Sequence, residues 1–273
     1  MTPAAQSGDG NTIAPGSGVV PILKQLQRGQ LKVVGTGFYI TRYGLFATAA
    51  HVLSDLAEMD RMELGVGYVL EDRDGDELVI RRIAFASISN VADVALGQVE
   101  NTIGNKPGTP NRRARLSFVT PTEGERLTTY AYPENEILDF TMSDQHPTLR
   151  GDYFEGVFER QVPPAQHPFV PYPHYETTLE IRSGASGCPI FNSKGEVAAI
   201  SCRGWDFRGG EHENNNLSSV IPLGYLLSMN ETCARPVATT WENEQIPRSR
   251  RGSTLSFGEL VAYGHVDVGM FHY

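Results

Sequence analysis

Between Ile181 and Gly204 the chain reads IRSGASGCPIFNSKGEVAAISCRG, and this stretch constrains the fold more than any other. Two short β-prone runs, Pro189-Ile190-Phe191 and Glu196-Val197-Ala198-Ala199-Ile200, flank the turn Asn192-Ser193-Lys194-Gly195. That pattern predicts a β-hairpin. Just ahead of it a single serine, Ser186, stands in Gly184-Ala185-Ser186-Gly187-Cys188-Pro189. Neighbours without bulky side chains let the backbone turn sharply and leave the hydroxyl accessible. Glycine at 184 also allows main-chain N–H groups to face a substrate oxygen, as acyl transfer requires.

The rest of the chain fits an all-β reading. Its 28 glycines and 17 prolines are spread along 273 residues, so turns recur throughout, and 40% hydrophobic content is enough for a full core. A net charge of −9 argues against nucleic acid and anionic membrane surfaces as partners. No 18-residue apolar run is present, and residues 1–18 lack the basic and apolar regions of a signal peptide. Three cysteines, Cys188, Cys202 and Cys233, are too few for a disulfide framework, so a reducing, cytoplasmic setting is expected.

Two further motifs carry chemistry. Gly35-Thr36-Gly37-Phe38-Tyr39-Ile40 leads through a turn at Arg42-Tyr43-Gly44 into Leu45-Phe46-Ala47-Thr48-Ala49-Ala50-His51. Farther on, Asp93 interrupts the apolar run from Val91 to Leu96, and a buried aspartate needs a partner, for which a histidine N–H is suited. Glu71 to Glu77 forms an acidic cluster between β-prone runs. Its glycine falls too early for an EF-hand loop, and Asp74-Gly75 reads as a hairpin turn.

The Ala-Ala-His loop, the Asp-Val-Ala-Leu strand and the glycine-flanked serine, in that order, resemble the motifs of the trypsin-like (chymotrypsin-fold) serine peptidases. The separations fall in the range that family uses. Tyr130-Ala131-Tyr132-Pro133 resembles a strand that bacterial-type members end with Gly-Tyr-Pro, with Ala131 in place of the glycine. The resemblance covers about 19–230 and implies two six-stranded antiparallel β-barrels with the active site in the cleft between them. The expected organisation is a flexible tail over 1–17, a first barrel over 18–110 carrying His51 and Asp93, and a second over 111–233 carrying Ser186. A Pro/Gly/Asn linker, 101–114, spans the boundary, and 234–273 is an extension that adds a strand or helix.

The resemblance implies a serine endopeptidase. Ser186 is the expected nucleophile, His51 the base, Asp93 the residue that holds the imidazole, and the N–H groups of Gly184 and Ser186 the oxyanion hole. Cys188 lies two residues past the nucleophile position and reads as a small buried thiol. Ser201, Cys202 and Arg203 are expected pocket walls. Glu180 stands where trypsin-type members place the acid that recognises Arg or Lys, although one step of strand phase turns it to solvent. No cofactor or metal is called for, and the expected partner is a protein or peptide substrate. The rival readings are a pseudoenzyme or regulatory scaffold, and an α/β-hydrolase esterase, whose Gly-x-Ser-x-Gly and chain order this sequence lacks. Ala185, before the nucleophile, has no charge to pair with a buried N-terminal ammonium. The oxyanion loop must then be ordered by other contacts: constitutive ones, substrate, a regulatory partner protein, or the 234–273 tail.

Overall fold

The structure, a computed structural model, describes residues 5–6, 12–13, 18–27, 30–58, 64–72, 75–100, 102–103, 106–107, 112–133, 137–139, 149–164, 166, 170–204, 218–227, 229 and 255–269. Near its start, β1 (Ala5–Gln6) and β2 (Thr12–Ile13) pair antiparallel within the stretch expected to be a loose tail. Next come β3 (Val19–Gln27), β4 (Gln30–Tyr39), β5 (Leu45–Thr48), helix α1 (Ala50–Glu58), β6 (Leu64–Asp72), β7 (Gly75–Ile88) and β8 (Ala95–Val99). Pairing runs β4-β3-β6-β7-β8-β5 and returns from β5 to β4, so six antiparallel strands close into a barrel. Closure leaves no open sheet edge among these strands. Pro21 sits in β3 just before the β6 pairing begins at Ile22, where its missing N–H costs no second ladder bond. Asp72 pairs with Gly75 and closes the acidic hairpin; residues 73–74 lie outside the described residues.

Across the expected linker, β9 (Thr102–Ile103) pairs with β10 (Lys106–Pro107), and the Ala114 N–H donates to the Tyr39 carbonyl at 2.8 Å. Then follow β11 (Arg115–Leu116), β12 (Arg126–Ala131), β13 (Ile137–Asp139), β14 (Asp152–Val162), β15 (His174–Thr177), β16 (Pro189–Phe191), β17 (Val197–Gly204) and β18 (Ser218–Pro222). The ladder β12-β14-β15-β18-β17-β16 returns to β12 and closes a second six-stranded antiparallel barrel. β13 crosses over to pair with β4 of the first. The hairpin read at 189–200 is the β16–β17 pair. β14 is a single 11-residue strand, and β15 stops at Thr177, so Glu180 lies beyond the ladder.

Each barrel has its own core. Val20, Ile22, Phe46 and Leu53 fill the first, and Leu127, Phe154, Leu179 and Ile190 fill the second. A third cluster fills the seam, joining Phe38, Ile40 and Leu45 to Phe191, Ile200 and Ile221. The extension enters this seam. After β18, helix α2 (Gly224–Leu227) is followed by α3 (Phe257–Ala262) and β19 (Asp267–Val268). Leu255, Phe257, Leu260 and Val266 are buried in the seam cluster. A capping box starts α3: the Glu259 N–H donates to Ser256 Oγ at 3.2 Å and the Ser256 N–H to Glu259 Oε2 at 2.8 Å. Its far end is held by Arg113, which donates to the Gly264 and His265 carbonyls at 3.1 and 2.6 Å. β19 then joins β11 in parallel. No helix among the described residues is long and apolar enough to cross a membrane.

Candidate active site

His51 and Asp93 come from the first barrel. His51 stands in the first turn of α1, where backbone N–H groups lack helical partners. Asp93 fills one of these vacancies: its Oδ1 accepts the His51 N–H at 2.9 Å, while Oδ2 lies 2.7 Å from Nδ1 of the same residue. One carboxylate thus holds both the backbone and the ring of His51. Asp93 is itself aimed by a tight turn, with the Val94 N–H donating to the Ala92 carbonyl at 2.8 Å and both flanking side chains buried. Burial pushes its carboxyl pKa upward, but the hydrogen bonds and charge of His51, with a bond from Cys202, outweigh that and hold it below the usual value.

Ser186 comes from the second barrel, in the loop between β15 and β16. Gly184 and Gly187 adopt φ of 89° and 87°, a region open to glycine and strained for other residues. Ala185 is fully buried in the second core, so the space an ion pair would need beside it is apolar. The loop is tied down by the Gly187 N–H to the Ser201 carbonyl at 2.8 Å and the Cys188 N–H to the Ala185 carbonyl at 3.1 Å. Ser186 Oγ donates to the Cys202 carbonyl at 3.3 Å. The N–H groups of Gly184 and Ser186 take no partner among the described residues.

Cys202 links the two halves. Its thiol donates to Asp93 Oδ2 at 2.7 Å, and the Tyr172 hydroxyl lies 3.4 Å from the same sulfur. Burial, the Cys202 thiol and the Asp93 carboxylate all push the tyrosine pKa up, so Tyr172 stays a neutral donor. The β17–β18 register shifts between Ser201 and Arg203, a bulge at Cys202. Ser201 is fully buried as well. The side chain of Arg203 lies outside the described residues.

Glu180, the candidate pocket acid, lies beyond the end of β15, where its side chain is 51% exposed and pairs with Arg182 at 2.9 Å. Cys188 is fully buried, accepts from Thr129 Oγ1 at 3.0 Å, and has its pKa pushed up to about 11 by burial, so its sulfur stays a protonated thiol. Sequence reasoning missed Thr36. It lies inside the Gly-Thr-Gly motif, but which strand face its hydroxyl takes is set by the pairing of β4 with its neighbours.

Residues 35–200, more than half of the chain, match the trypsin-like peptidase domain. The chain belongs to the trypsin-like peptidases. This peptidase is also similar to the active form of the Rv3671c protease from M. tuberculosis, at 19% identity over 81% of this chain and 84% of that one, with a TM-score of 0.52. It is similar to Deg5 at 18% identity, over 78% of this chain and 86% of that one, with the same TM-score. At such identities the likeness speaks for the fold. No curated protein sequence matches the chain. Family and fold together make this trypsin-like protein a serine endopeptidase.

Proposed function

We propose that this peptidase cleaves protein or peptide substrates through an acyl-enzyme, with Ser186 as nucleophile, His51 as general base and acid, and Asp93 as the group that orients His51. The observation that carries the reading is the two-point hold of Asp93 on His51, at 2.9 and 2.7 Å. With Nδ1–H committed to the carboxylate, Nε2 keeps its lone pair for the serine proton. Asp93, held ionised by its hydrogen bonds, then stabilises the imidazolium that forms.

When substrate arrives, Ser186 Oγ leaves the Cys202 carbonyl and turns toward His51. Its oxygen bonds to the scissile carbonyl carbon as its proton passes to Nε2. The N–H groups of Gly184 and Ser186, which have no partner among the described residues, receive the oxyanion. The C–N bond then breaks as Nε2 returns the proton to the leaving amine, and water releases the acyl group by the same steps in reverse.

The test is Ser186→Ala together with fluorophosphonate labelling of the intact chain and peptide mapping. Turnover is expected to fall about 10⁶-fold, and the label to map to Ser186. Near wild-type turnover in the variant, or a label on Cys188, overturns the reading. Absence of any label or turnover in the wild-type protein turns it toward a binding scaffold.

A further inference from the structure

The nucleophile loop is tied across the seam by one buried side chain. Thr36, in β4 of the first barrel, is fully buried and uses all of its polar groups. Its N–H donates to the Ser186 carbonyl at 2.8 Å. Its hydroxyl donates to the Gly184 carbonyl at 3.0 Å and accepts the Tyr132 N–H, from the end of β12, at 3.0 Å. Its carbonyl accepts the Thr48 hydroxyl at 2.7 Å, at the end of β5 and just before α1 and His51. Gly35 allows this approach, since a Cβ there would lie 2.6 Å from Val52 and 3.1 Å from the Ser186 carbonyl.

We propose that Thr36 is a positioning residue for the oxyanion hole: its hydroxyl and N–H pin the carbonyls of Gly184 and Ser186, and so preset the N–H groups of those two residues before any substrate binds. The proposal rests on the reading of Ser186 as nucleophile. It supplies what Ala185 lacks. Ala185, fully buried in the second core, offers no charge to order the loop, and barrel 1 holds it from the opposite side. Thr36 touches no substrate in this role. The N–H groups of Ala185, Gly187 and Cys188 donate to the carbonyls of Arg182, Ser201 and Ala185, so among the described residues those of Gly184 and Ser186 are left to offer, the pair that acyl transfer uses. The same hydroxyl ties in β12, and the Thr36 carbonyl ties in the strand leading to His51. Base and oxyanion hole therefore share one anchor.

The test compares Thr36→Val, which keeps the shape and loses the hydroxyl, with Thr36→Ser, which keeps the hydroxyl. For a displacement of the loop, kcat is expected to fall about 10- to 100-fold in Thr36→Val while KM changes less than about threefold. Affinity for a peptide boronate, whose tetrahedral adduct places an oxygen in the hole, should fall by the same factor as kcat. Affinity for the matching product carboxylate should hold. Thr36→Ser should restore kcat to within about threefold of wild type. An unchanged kcat in Thr36→Val overturns the proposal, as does an equal loss of boronate and product affinity, which marks a merely structural role. Should Thr36→Val fail to fold, hydrogen exchange of the wild-type Tyr132 amide decides. Strong protection, retained in Thr36→Ser, supports the bond network, and exchange at the rate of an open amide overturns it. If Ser186 is not the nucleophile, the wild-type label itself maps elsewhere, so the two failures are distinguishable.

Discussion

Gly187 occupies the tightest point of the loop, and its replacement by alanine isolates how closely the two barrels meet there. Its φ of 87° costs a non-glycine residue about 1–2 kcal/mol. A methyl group at 187 would also collide with the Thr48 hydroxyl and the Thr36 carbonyl and would lie 2.8 Å from the Ala49 nitrogen. Two of these three atoms are backbone and do not move aside, so overpacking of about 1–3 kcal/mol is added. The total for Gly187→Ala is about 2–5 kcal/mol. With an unfolding entropy of about 2.1 cal/mol/K per residue, the melting temperature should drop by about 3–9 °C. Gly124→Ala is the control. Gly124 has a similar φ, 78°, but open space around it, so only the backbone cost of about 1–2 kcal/mol applies and the drop should be about 2–3 °C. Melting is followed by circular dichroism, and fluorophosphonate labelling reports the loop. The label rate should fall about 100-fold in Gly187→Ala, because the collision moves the nucleophile. If Gly187→Ala melts no lower than Gly124→Ala, the close approach inferred at Thr36 and Thr48 is wrong.

Asp93 gives a pH signature. Because its folded pKa is depressed, its contribution to stability is complete at neutral pH and is lost as pH falls through that lowered value, below the ordinary aspartate range near 3.9. Acid titration of stability should therefore show a transition that Asp93→Asn lacks, and Asp93→Asn should lower kcat about 10⁴-fold at neutral pH by removing the hold on the imidazole; a variant within tenfold of wild type refutes that role. Glu180→Ala should leave cleavage of Arg- and Lys-containing peptides within about twofold, since the carboxylate is half in water beside Arg182. A tenfold loss of such preference would instead place the Glu180 carboxylate in the substrate pocket.

The two barrels and the candidate triad were legible because each depends on local signals. A histidine after two alanines, an aspartate in an apolar run and a serine among glycines are visible one motif at a time. What stayed hidden depends on register. Cys202 meets Asp93 only because a bulge in β17 redirects it, and a bulge leaves no trace in the local hydrophobic pattern. The end of β15 was hidden too: the strand stops at Thr177, short of Glu180 and earlier than the β-prone run suggests. The helix at 257–262 did carry a signal, the Ser256-Phe257-Gly258-Glu259 capping box, which an unplaced tail made easy to pass over.

The segment 255–269 gives the molecule a timetable. During synthesis both sets of barrel strands emerge first, and the residues that complete the seam follow roughly 45 positions after β18, a few seconds later at about 5–20 residues per second. Until then Phe38 and Ile200 face a partly empty seam, and Arg113 has no helix end to hold. A growing chain therefore passes through a stage in which His51 and Ser186 have been made but the wedge between their barrels has not. The halves of the molecule are locked only after this segment has left the ribosome, later than the strands of either barrel.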